Sequence, residues 1–419
     1  MYILPFLWFT FLTILLWRKH KGVDISVYMS ALYALTSFLA IVIVAGDMLG
    51  EGGILFYNED AEFGLVPTVI YCVFLTMSIV PFHLVYIREV KEITCNAPVL
   101  LDAVSLFLIV ESFVNLYLVA DSTLDILSGD LAAIRSSVYA GDETPAQMKA
   151  ETMGYLFRLL TYFNVSTLLC LPILGFNLCF RQKPWWWNLL LFFASLSLPI
   201  AGIQSADRTD FVFWGLMLLY CFVFFWPHSS SRLRRIVILS LSPIVVLGVV
   251  YVTAVSQSRF ENQNGGAAGR NVQYAGQGYV NFCFFWKYAN YDELALERIF
   301  PAYSHFVKKV DSNAKRREER SGRQGFFISV FATFIGDLML DTSPVGMMIW
   351  VICFTLFGLL LVRSSHRTLY DVSEVLLLFV MACIPLFGIF YYRFSAFFYS
   401  IMLMLALLLY FNSKYRVRL

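Results

Sequence analysis

Charge is what this sequence has least of. Only 14% of its 419 residues are Asp, Glu, Lys or Arg, and the two signs nearly cancel at a net charge of +2. That excludes an ordinary water-exposed domain, whose surface needs about a quarter of its residues charged. It also gives no sign of a nucleic-acid partner, because there is no long basic run and no nucleic-acid motif. Cysteine spacing is equally uninformative about metals. Cys72, Cys170, Cys179, Cys221, Cys353 and Cys383 fall inside apolar segments with no CxxC pair, where a thiol acts as a small hydrophobe. The stretch "NGGAAGRN" lacks the lysine and hydroxyl residue of a P-loop, so it is read as a flexible turn or a weak anion nest. No cofactor motif and no internal repeat stands out. The opening "MYILPFLWFTFLTILLW" has no basic residues before it and no small-residue cleavage pattern, which predicts a retained first span and a mature chain starting at Met1.

What is present is apolar: 59% of the residues are hydrophobic. A membrane helix needs about 20 mostly apolar residues. By that rule spans are expected near 1–17, 25–45, 63–87, 99–119, 154–180, 185–203, 211–227, 236–256, 345–362, 372–391 and 394–411. The connectors alternate in sign. "RKHKG", "IREVKE", "RQK" and "SSSRLRR" are basic, whereas "GDMLGEGGILFYNEDAE" and the connector 120–153 are mainly acidic. The positive-inside rule then puts the amino terminus outside and the basic connectors in the cytoplasm. The segment 325–340, "GFFISVFATFIGDLML", is short and broken by Asp337; a full crossing would put "RSSHR" and the basic tail outside, so it is read as re-entrant or interfacial. The predicted fold is all-α, one polytopic membrane domain over 1–419 with about eleven spans and a cytoplasmic carboxyl terminus.

Polar residues gather on the predicted outer face, in the connector 120–153, the turn 204–210 and a large loop of about 257–325. Within that loop, Leu296, Ile299, Phe300, Tyr303 and Phe306 recur at helical intervals beside Arg298, His305, Lys308 and Lys309, the pattern of an amphipathic helix lying on the outer leaflet. The run "KRREERSGR" is read first as a solvated connector, with Arg259 and Arg270 the loop's candidates for anion contact. In "SADRTD", Asp207, Arg208 and Asp210 admit two readings. They can be an ion-pair cap on the turn, or Arg208 can be held by Asp207 or Asp210 so that its other donors face a lipid diphosphate, with one carboxylate as base. His83, Asp102, Glu111, Arg158 and Arg393 lie within spans, where ionisable groups face the protein interior or a wet cavity. Glu111 and Arg158 are a possible cross-helix pair. Asp337 and Asp341 fit either a broken helix lining a cavity or the membrane interface.

Four stretches carry a resemblance: "SADRTDFVFWGLMLLYCFVFFW", "SSSRLRR", "YAGQGYVNFCFFW" and "FFISVFATFIGDLMLDTSPVGMMIW". Over about 200–360, with a similar span pattern, the chain resembles the oligosaccharide repeat-unit polymerases of the Wzy type, which assemble O-antigen or capsular polysaccharide in bacteria. The resemblance implies a C-type glycosyltransferase architecture and metal-independent glycosyl transfer at the periplasmic face of the inner membrane. The growing chain on undecaprenyl diphosphate would be donor and a lipid-linked repeat unit acceptor, with membrane lipid, a chain-length regulator and a flippase as expected partners. On this reading Arg208, Arg259 and Arg270 clamp diphosphate, His305 or Asp210 is the base, and Tyr274, Gln277, Tyr279 and Asn281 contact sugar, the alternative for these last being interfacial aromatic packing. An O-antigen ligase, which transfers to lipid A core, and a lipid-linked oligosaccharide flippase are the rival functions.

Overall fold

Proline and glycine set the first two helices. Pro5 lies in the first turn of Leu4–His20, which stops where Lys21 takes left-handed angles (φ 55°) and Gly22 follows at φ 147°. Asp24 then caps Ile25–Ala45, its carboxylate accepting the Val27 N–H at 2.9 Å. The computed structural model describes residues 1–46, 63–140, 143–260, 266–291, 296, 299, 321–322, 324–326, 328, 330–364 and 369–416, and these are nearly all helical. Among the described residues the strands are Glu92–Thr94 and Leu369–Asp371, which pair in parallel.

Among the described residues nine helices are long and apolar enough to cross a membrane: Ile25–Ala45, Leu65–His83, Pro98–Thr123, Asn164–Arg181, Trp185–Ile203, Thr209–His228, Ser231–Phe260, Thr333–Arg363 and Phe397–Tyr415. Val372–Phe387 is apolar but shorter, at 16 residues, and Leu4–His20, at 17, ends in the basic turn Arg18, Lys19 and His20. The protein is an all-α polytopic membrane protein.

Four stretches differ in detail from the sequence reading. The span expected from 154 begins at Asn164, because Gly154 (φ 106°) turns the chain and Tyr155–Thr161 is a separate short helix with no buried residue. The connector 120–153 is largely helical: Pro98–Ser128 runs on past its apolar stretch, and Leu131–Ala140 and Pro145–Met153 follow, the latter opened by a Thr144/Gln147 capping box. Within 257–325, Gly266–Tyr288 forms a 23-residue helix with most of its second half buried. It lies against Ile25–Ala45, and a Cβ on Gly276 would stand 2.6 Å from the Leu39 carbonyl carbon, so only glycine lets the two backbones come this close. Finally, 333–342 is a buried helix that ends at Ser343 (φ 73°, ψ 167°), and a second helix starts at Pro344. Proline disfavours helical angles in the residue before it and suits a first helical turn, so "TSP" breaks one helix and begins another.

The chain divides into two compact units, Met1–Tyr86 with Asn262–Ser364 and Met381–Phe397, and Ile87–Glu261 with Ser365–Val380 and Phe398–Leu419. The first has an aromatic core of Phe9, Tyr33, Tyr71, Phe82, Tyr279 and Phe282. In the second, the "RQK" connector closes on the first turns of Pro98–Ser128: Arg181 and Lys183 both reach Asp102, at 2.6 and 2.9 Å.

Candidate functional site

In the second unit the turn after Ser197–Ile203 is tight. Ala206 is buried at φ 44°, and the Asp207 N–H donates back to the Gly202 carbonyl at 2.9 Å. Asp207 Oδ1 accepts the N–H of Thr209, the first residue of the next helix, at 2.8 Å. Its Oδ2 meets Arg135 Nη2 at 3.2 Å, and Arg135 also donates to the Ser205 carbonyl. The anchor of this turn is therefore Arg135, from Leu131–Ala140. Arg208 donates to the Ser256 hydroxyl, and its guanidinium lies 5.4 Å from the centre of the Phe260 ring. Arg259 approaches the same ring at 5.0 Å. Each such contact is worth about 0.5–2 kcal/mol, and together they bring two guanidinium groups to one aromatic ring. Asp210 sits in the first turn of Thr209–Phe225, where a carboxylate suits the helix dipole. Ile126, Leu131, Ala206 and Val255 form the apolar floor beneath the turn.

The first unit holds a second cationic site. Along Gly266–Tyr288, Arg270, Gln273, Gln277 and Asn281 recur at spacings of three and four and so share one face. All four are buried, Arg270 to 1% exposure. Arg270 Nη1 donates to Gln273 Oε1 at 2.9 Å, while its Nε has no partner among the described residues. The described residues also give Arg270 no ion pair. Asn281 donates to Gln277 Oε1 at 3.1 Å and to the Phe331 carbonyl at 2.9 Å. Tyr274 packs on Phe331, which stacks on Tyr391 at 5.5 Å, and Arg393 lies 5.6 Å from the Tyr391 ring centre. Tyr279 is engaged differently: its hydroxyl is 2.7 Å from Thr68 Oγ1, and its ring packs on Phe63 and Tyr71.

The broken helix borders this stripe. Thr333, at φ 62°, donates its N–H to the Phe390 carbonyl, and Phe334 donates to Gly388, which fixes the start of 333–342. A Cβ on Gly278 would stand 2.9 Å from Thr333 Cγ2. Asp337 and Asp341, one turn apart, are both buried. Asp337 Oδ2 accepts the Tyr392 N–H at 2.7 Å, and Asp341 accepts the N–H groups of Leu296, at its backbone carbonyl, and of Ile299, at Oδ2. Burial, with the Asp341 charge adding to it, pushes the Tyr392 phenol upward, so it stays protonated as a donor. These carboxylates hold connecting backbone in place.

Comparison with protein-family models, with curated proteins and with solved structures finds no match. The site therefore rests on its own geometry.

The sequence candidates fall in both units. Arg208, Asp210 and Arg259 belong to the second, and Arg270, Tyr274, Gln277, Tyr279 and Asn281 to the first. His305, with Arg298, Phe300, Tyr303, Phe306, Lys308 and Lys309, lies outside the described residues. The pairing of Glu111 with Arg158 does not occur: Arg158, ahead of the span, pairs with Glu151 at 3.0 Å. Glu111 is fully buried, takes the Asn115 amide at Oε1, and has no partner for Oε2 among the described residues. Sequence reasoning missed Arg135, Ser256, Phe260 and Gln273. For Gln273 a signal existed, the three-and-four spacing of polar residues in "GRNVQYAGQGYVN"; for Arg135, 72 residues from Asp207, there was none.

Proposed function

We propose that this protein is a Wzy-type polymerase. It joins undecaprenyl-diphosphate-linked oligosaccharide repeat units into O-antigen or capsular polysaccharide, at the periplasmic face of the bacterial inner membrane. The observation that carries this reading is Arg270. A guanidinium buried with no counter-charge among the described residues is costly, and an anionic group brought to it would recover that cost. Polymerisation needs two lipid diphosphates, donor and acceptor, and among the described residues each unit carries arginines suited to such a group, Arg270 in one and Arg208 with Arg259 in the other. In the reaction a sugar hydroxyl of the acceptor attacks the donor's anomeric carbon. The bond to diphosphate breaks, undecaprenyl diphosphate leaves with the electron pair, and the hydroxyl proton passes to a base, for which Asp210 and His305 are the candidates. Arginine stabilises the charge that grows on the leaving diphosphate. The amides of Gln277 and Asn281 and the Tyr274 ring suit a pyranose.

The test is reconstitution of the purified protein with lipid-linked repeat units, without ATP or added metal, and separation of products on a gel. A ladder is expected, reduced by about 100-fold or more in folded Arg270→Ala and Arg208→Ala proteins. Absence of any ladder from the parent protein overturns the reading. Product formed only with lipid A core identifies a ligase. Glu111, buried and with no counter-charge among the described residues, favours a lipid-linked oligosaccharide transporter as second reading, which predicts movement of substrate across vesicles with no new glycosidic bond.

A further inference from the structure

Where Leu4–His20 ends, in the first unit, four titratable side chains stand in line across three helix ends. Lys19 Nζ is 2.7 Å from His83 Nε2, and His83 Nδ1 is 2.8 Å from His20 Nε2. His20 Nδ1 is 2.7 Å from Asp24 Oδ2, an ion-pair contact more than an aligned hydrogen bond. Asp24 is itself the cap of Ile25–Ala45, accepting from the Val27 N–H and the Ser26 hydroxyl, both at 2.9 Å. One protonation pattern satisfies the line. An ammonium can only donate, so His83 Nε2 accepts; a neutral His83 then carries its proton on Nδ1 and donates to His20 Nε2; and the His20 proton sits on Nδ1, facing the carboxylate.

We propose that Lys19, His83, His20 and Asp24 form a pH-sensitive latch that ties together the ends of Leu4–His20, Ile25–Ala45 and Leu65–His83 while both imidazoles are neutral. One added proton settles on His20, which then donates from both nitrogens. His83 must switch its proton to Nε2, which faces a second donor, and the exposed Lys19 swings away. A second proton, on His83, sets N–H against N–H between two cations and breaks the link between the rings. The surroundings oppose proton uptake. Arg18 and Lys21 flank the line on its own helix, and Arg363 ends the helix that packs along Leu65–His83, where Thr355 Oγ1 donates to the Met77 carbonyl at 3.0 Å. Among the described residues the carboxylate in contact with the line is Asp24, with the phenols of Tyr28, one turn on, and Tyr86, whose ring is 5.1 Å from that of His20. Burial pushes the Asp24 carboxyl upward, offset only in part by the Val27 N–H and Ser26 hydroxyl, so acid also weakens the anchor of His20.

The sign follows from linkage. The closed latch excludes protons that its histidines bind in the unfolded chain, so the imidazole pair makes stability fall as pH falls through their ordinary range, near 6.5. Asp24, with its raised value, acts oppositely, contributing stability below the ordinary aspartate value of 3.8 that is lost as pH rises through its folded value. His83→Gln separates the two, because the amide keeps an acceptor for Lys19 and a donor for His20 but does not titrate, and Asp24 is untouched. For the full-length protein in nanodiscs, melting is compared at pH 7.5 and 5.5. The parent's melting temperature is expected to fall by roughly 3 °C more on acidification than that of His83→Gln. The chain has five histidines, so imidazole NMR can follow His20 and His83 individually. Their signals are expected to move together in two shared steps. Equal falls in melting temperature, or two independent single-step titrations, overturn the proposal. Should His83→Gln not fold, Lys19→Met serves at the exposed end of the line: displacement of the first shared step by about one pH unit supports the latch, and an unchanged titration overturns it.

Discussion

Asp207 closes its turn in three directions at once. Oδ1 takes the Thr209 N–H, Oδ2 meets Arg135, and the backbone carbonyl accepts the Tyr251 hydroxyl at 3.4 Å. Asp207→Asn keeps the first and last of these but leaves the Arg135 guanidinium, only 14% exposed, without its counter-charge. Its expected cost is about 1–3 kcal/mol in chemical unfolding. Arg208→Ala removes, among other contacts, the bond to the Ser256 hydroxyl and a cation–π contact, and is expected to cost about 1–2 kcal/mol while reducing product about 100-fold or more. Equal destabilisation by the two changes would make Arg208 a part of the cap. Tyr279→Phe loses the hydroxyl's hydrogen bonds to Thr68 and Cys283, so a cost of about 1–2 kcal/mol with the product ladder retained is expected. A lost ladder with normal melting would instead put the Tyr279 hydroxyl on sugar. The residue types of this turn were legible in "SADRTD", since two carboxylates and an arginine exceed what a reversal needs. Their pairing was not, because Arg135 is distant in the chain and local pattern carries no trace of it.

Among the helices, the spans were readable wherever about 20 apolar residues run together. Gly266–Tyr288 was not, because Arg270, Gln273, Gln277 and Asn281 lower its hydropathy although its neighbours bury them. The break at Ser343 had its signal in the proline that follows. At φ 73° and ψ 167°, Ser343 occupies a region that only glycine enters cheaply. Ser343→Gly is expected to stabilise the protein by about 1 kcal/mol, even with loss of the 3.5 Å Gly346 N–H contact to its hydroxyl, and thermal melting reads this directly. Gly276→Leu has the opposite sign. Its side chain would enter the backbone of Ile25–Ala45, so a loss of about 1–3 kcal/mol or failure to fold is expected.

For the whole molecule, composition alone dictated the class, since so little charge leaves no option but a bilayer. The division into two units was not readable, because each is assembled from three separated stretches of chain. Within the second unit, Ser231–Phe260 buries only Gly248, Val255, Ser256 and Phe260 of its 30 residues. The contact at Gly248 is close, for a Cβ there would fall within 2 Å of the Phe211 ring. A spanning helix held at so few positions and exposed along the rest of its length is expected to answer to the thickness of the surrounding lipid, by tilting when its apolar length and the bilayer disagree. Its carboxyl-terminal turn carries Ser256, Arg259 and Phe260, the partners and neighbours of Arg208. Lipid chain length thus becomes a mechanical input to that arginine pair. Amide exchange of 251–260 is expected to change as vesicle lipids are lengthened while that of Thr209–Phe225 stays constant, making this helix the protein's gauge of the membrane it sits in.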